Sequence, residues 1–126
     1  MRSEETILIA KKHQEDAKRI IENFSEWEEW EPSEEQVAYE EEHEAWLVNE
    51  DEICFDIYEL SVKVYEILDT YINNEKTGEH QAKRCFQDCI GTIRTIRENI
   101  NEIVVEDKEK CLKSLDGLEK ISREYI

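Results

Sequence analysis

Apolar residues in this chain recur every third or fourth position, along four separate stretches. Ala10, His13, Ala17, Ile20, Phe24 and Trp27 form the first stripe, widened by Ile21 and Trp30. Ile53, Ile57, Leu60, Val64, Ile67 and Tyr71 form the second. Ala82, Phe86, Cys89, Ile93, Ile96, Ile100 and Ile103 form the third, and Cys111 or Leu112, Leu115, Leu118, Ile121 and Tyr125 the fourth. Such spacing lines one face of an α-helix and does not fit the two-residue period of a strand. A helix with one apolar face must bury it, and four of them joined by short turns bury one another as an antiparallel bundle. The expected fold is therefore all-α: an antiparallel four-helix-type bundle with one extra short acidic helix, forming a single helical domain over residues 1–126. Helices are expected near 4–30, 34–48, 50–73, 79–104 and 107–124. His13 lies on a core stripe and is expected to be partly buried and satisfied by a neighbour.

The breaks between helices have local signals. Ser3 is a candidate N-cap, followed by Glu4 and Glu5 in the first turn, where the helix dipole favours acid. Glu31-Pro32-Ser33 ends one helix and begins another, because the residue before proline avoids helical angles. Ser33 with Gln36, and Asn49 with Glu52, have the spacing of capping boxes. Asn49 thus predicts a break, against the competing reading of one helix over 34–72. The run from Asn73 to Gly78 is a loop. Gly91 falls inside the third stripe, where it costs roughly 1 kcal/mol relative to Ala, and it suggests a close helix contact. Gly117 and Ser122 weaken the last helix.

The charge is unevenly placed. Residues 20–62 hold 16 of the 33 acids and none of the 16 bases, so this stretch carries −16 of the formal net charge of −17. It also contains all three tryptophans and the only proline. The overall balance argues against nucleic acid or an anionic membrane as direct partners and favours a basic protein. No apolar run approaches the length of a membrane span. The segment Met1-Arg2-Ser3-Glu4-Glu5 turns acidic without a secretory core, so a cytoplasmic location is expected. The four cysteines then read as thiols, and none lies in a Cys-x-x-Cys pair, which leaves a zinc site without support. Cys85 and Cys89, one turn apart, read as buried small hydrophobes.

Two patterns suggest metal chemistry. Glu40-x-x-His43 has the spacing of a di-iron ligand pair but lacks the second copy that such a site needs. Glu40-Glu41-x-x-Glu44 is separated by 21 residues from Glu66-x-x-Asp69. Over residues 36–72 this pattern resembles the signature of the all-α nucleoside triphosphate pyrophosphohydrolases, the MazG and dimeric dUTPase group. The resemblance implies that Glu41, Glu44, Glu66 and Asp69 hold Mg²⁺ against a triphosphate, for in-line attack by a bound water. Glu66 and Asp69 fall outward of the second stripe, and no basic and asparagine motif downstream serves to hold phosphates. No Ser/His/Asp set, phosphate-binding glycine loop or basic aromatic patch is present, and no catalytic residue is assigned.

The leading expectation is binding. Sixteen carboxylates on 43 helical residues give roughly one per 4 Å of helix. Duplex DNA carries about one charge per 1.7 Å. A fold-back at Pro32 would bring the two densities closer. The stretch is expected to mimic nucleic acid or to block a basic nucleic-acid-binding partner such as a nuclease or toxin, as an inhibitor, immunity or antitoxin-like protein does. Tyr39, His43 and Trp46 form one aromatic line on the acidic helix, which either docks on the bundle or faces a partner. Trp30, Tyr39, Glu40, Glu41, Glu42, His43, Glu44 and Trp46 are the candidate partner-binding residues, with no cofactor required. The surplus Trp and Ile serve equally to fill the core or to seal a homodimer.

Overall fold

The computed structural model describes residues 3–43, 49–73, 78–102 and 105–126, with residues 78 and 79 as backbone alone. All its regular elements are helical: α1 Glu4–Asn23, α2 Glu34–His43, α3 Glu50–Asn73, α4 Gly78–Glu102 and α5 Lys108–Arg123, with a short 3₁₀ turn at Ser25–Trp27. No strand occurs among the described residues.

The capping chemistry read from the sequence sets several of these starts. The Thr6 N–H donates to Ser3 Oγ (3.2 Å), the Gln36 N–H to Ser33 Oγ (3.2 Å), and the Glu52 N–H to Asn49 Oδ1 (2.9 Å). Each bond satisfies a backbone donor that a helix start would otherwise leave open. Asn49 lies outside both neighbouring helices, so 34–72 is not one continuous helix.

The first helix is shorter than its stripe suggests, ending at Asn23 rather than Trp30. Phe24 leaves helical angles (φ −118°, ψ 15°), its N–H bonds to the Ile21 carbonyl, and Ser25 Oγ donates to the Glu22 carbonyl at 3.0 Å. The serine hydroxyl occupies an end carbonyl and the chain tightens into a 3₁₀ turn. That turn preserves the burial of the stripe while swinging Trp30 onto Phe55 of α3, with ring centroids 5.3 Å apart. Trp27 packs on Phe24 (5.9 Å), and Lys110 Nζ of α5 lies 4.7 Å from the Phe24 ring.

Side-chain contacts set the topology. Gln14 reaches Asp69 at one end of α1·α3 and Trp30 meets Phe55 at the other, so these helices run antiparallel. Arg97 of α4 binds Asp116 and Glu119 of α5, while Phe86 stacks on Tyr125, so α4 and α5 are antiparallel too. With α3 and α4 joined by a short connection, the order is up-down-up-down. The α3 helix packs on α1, α4 and α5, and α5 also touches α1. The core is made by Phe24, Ile53, Ile57, Val64, Leu68, Phe86, Ile93, Ile100, Leu115 and Leu118, all fully buried.

Gly91 is exposed, and a Cβ there would meet nothing within 4 Å, so it marks no close helix contact. On the last helix Ser122 is itself buried, its hydroxyl donating to the Leu118 carbonyl at 2.8 Å, so it does not interrupt the packed face. The four cysteines are free thiols. Cys54 shares a hydrogen bond with Cys111, and this bond together with burial holds Cys54 well above the ordinary thiol range. Burial pushes Cys89 up to about 11. No helix among the described residues is long and apolar enough to cross a membrane.

Candidate interaction surface

An acidic surface begins at the end of α1 and continues onto α2. Glu26, Glu28, Glu29 and Glu31 are exposed around the 3₁₀ turn, and Glu34 and Glu35 open α2 after Pro32. Carboxylates at a helix start are favoured by its dipole, which explains the tolerance for acid there. Glu40, Glu41 and Glu42 follow on α2, all exposed. The ion pairs among the described residues lie elsewhere. They join Asp16 to Arg19, Arg97 to Asp116 and Glu119, Lys113 to Glu109 and Arg123 to Glu119.

The α2 helix contributes little to the core. Its one buried residue is Gln36, a polar one, and Val37 is 38% exposed. No α2 backbone position lies within 8 Å of another described element. The Tyr39 and His43 rings stack on each other, 4.2 Å between centroids and 19° between planes, and His43 Nδ1 lies 3.1 Å from the Tyr39 carbonyl oxygen. His43 is exposed and Tyr39 half-buried. The pair is thus held by its own helix, one turn apart. Trp30 differs: half-buried on Phe55, it fixes the turn to α3. Glu44 and Trp46 lie outside the described residues.

The described carboxylates of the triphosphatase-like pattern, Glu41, Glu66 and Asp69, do not converge. Glu41 is exposed on α2, and Glu66 and Asp69 are exposed on α3. Asp69 accepts hydrogen bonds from Gln14 (3.2 Å) and Asn73 (3.3 Å). Among the described residues, no three His, Cys, Asp or Glu side chains converge as metal ligands would.

A further acid was missed by the sequence reading. Asp56 is half-buried on α3, and its carboxyl is raised to about 6 by burial first, then by Glu52 and Glu59. Its position among Ile53, Cys54, Ile57 and Leu60, all buried, was the available signal: an acid this close to a core strip is partly desolvated. Comparison with family models, with curated proteins and with solved structures finds no match for the chain.

Proposed function

We propose that this protein is an acidic binding module that covers a basic partner, one whose own ligand is nucleic acid. The observation that carries this reading is the unneutralised charge of α2. Glu40, Glu41 and Glu42 stand exposed on a helix whose one buried residue is Gln36, and they take part in none of the ion pairs among the described residues. A helix that served only the core would bury an apolar face. Like charges this close repel one another, and a basic surface relieves that cost. Steering by such a field speeds encounter with a basic protein and weakens with salt over a Debye length of about 8–10 Å. The stacked Tyr39–His43 pair supplies a desolvatable centre for the contact.

The reading is tested by capture from native lysate on two immobilised baits, the wild-type protein and a variant with Gln at positions 40, 41, 42 and 44. The wild-type bait is expected to retain a basic nucleic-acid-binding protein that elutes as salt rises, and the variant to lose it. Equal retention on both baits, at low and high salt alike, would show that α2 is only a solvated surface.

A further inference from the structure

A groove runs between α3 and α4. Its larger part, of about 580 Å³, lies within the usual range of small-molecule sites. A second cavity of about 200 Å³ continues it, and the two share Lys63 and Glu66, so the groove is elongated along the helices. Buried Leu60 and Ile96 contribute apolar surface to the larger part.

The polar walls are richer in acceptors than in donors. On α4, Thr92 Oγ1 donates to the Asp88 carbonyl and Thr95 Oγ1 to the Gly91 carbonyl, both at 3.2 Å. With their protons committed to the helix backbone, these hydroxyls offer the groove only lone pairs. On α3, Asp56, Glu59 and Glu66 add carboxylates, which are acceptors only. No described cation pairs with Asp56. Tyr58, Asn99 and the exposed Lys63 are donors beside these acceptors, and Lys63 has a flexible stem that lets its head move to solvent. Acceptor walls over an apolar floor suit a ligand with donor-rich cationic heads and a hydrocarbon stem.

The geometry points to this groove as a binding site for a linear aliphatic polyamine, lying along α3 and α4 with its ammonium groups on the acceptors of Asp56, Thr95 and Glu66. The elongation favours a free polyamine over an inserted lysine side chain. Asp56 and Glu66 are ten residues apart, about 15 Å along the helix, a span suited to an extended chain with a charge near each end.

Spermidine is the probe, followed by backbone and methyl NMR at about 0.15 M salt, with Mg²⁺ titrated in parallel. Saturable shifts confined to the groove, centred on Asp56, Thr92, Thr95 and Asn99 and not reproduced by Mg²⁺, are expected. Asp56→Asn is expected to weaken binding about tenfold, and Thr95→Val, which changes no charge, to weaken it severalfold. The quadruple Gln variant of α2 is expected to bind spermidine as the wild type does, so this site and the partner surface fail or succeed separately. Shifts spread over the exposed glutamates and matched by Mg²⁺ would reduce the effect to counterion screening and overturn the assignment. Groove shifts with a lysine-rich peptide but none with spermidine would overturn it equally.

Discussion

Asp56 shows how one residue's setting changes what its side chain does. Its pKa stands near 6 in the fold against an ordinary 3.8. The folded state therefore binds this proton more tightly than the unfolded chain, and stability falls as pH rises between those two values. At pH 7 the carboxylate is ionised in both states and the desolvation penalty is fully present. The side chain is only half-buried, so solvent screening reduces that penalty to about 1 kcal/mol. Asp56→Asn should stabilise the protein by about this amount at pH 7 and by almost nothing near pH 4, as measured by urea unfolding at both pH values. Equal effects at the two would show that desolvation is not the cause. His13 acts in the opposite sense. Burial lowers its pKa while Tyr125 holds its Nδ1 at 2.8 Å, so its share of stability is present above pH 6.5 and lost as pH falls through the lowered value.

At the level of the element, the helices divide by what they bury. Every described position of the α4 stripe, from Ala82 to Ile100, is buried, whereas α2 buries only Gln36. The long helices are thus held by packing, whereas α2 starts at its Ser33 cap and stacks Tyr39 on His43 one turn on. Gly91 is the weak point of α4. With open space around a Cβ, Ala would remove the glycine's conformational entropy cost without a clash. Gly91→Ala should raise stability by about 0.5–1 kcal/mol, readable as a shift of the denaturant midpoint at constant slope. A loss instead would mean that this face of α4 is covered in solution.

Across the whole molecule, Tyr125 gathers three other helices at one end of the bundle. Its hydroxyl bonds His13 of α1, its ring meets Tyr71 of α3 edge-on at 5.2 Å, and it stacks on Phe86 of α4 at 4.9 Å. Tyr125→Ala would open a gap among these rings and leave His13 without that bond. A loss of about 2–4 kcal/mol in thermal or denaturant unfolding is expected. Tyr125→Phe should cost about 1 kcal/mol, separating the bond from the packing. The opposite end is closed differently, by Lys110 over Phe24 and by the Glu106 N–H donating to Glu50 Oε1 at 3.0 Å.

Periodicity by itself determined the helical class, the four buried stripes and the breaks at Pro32 and Asn49, because helix spacing and caps are local properties of three to seven residues. Charge counting likewise located the acidic stretch without any coordinates. What required the tertiary structure was the outcome of competition between elements. The stripe through Trp30 was readable, but a packed Phe24 and a back-bonded Ser25 turned its end into a 3₁₀ turn. Leu68 is fully buried beside the half-buried Ile67, because α3 faces three helices and needs a broader apolar face than one stripe. The α3/α4 groove belongs wholly to that level, since its walls come from two separate helices and become neighbours only when those helices pack.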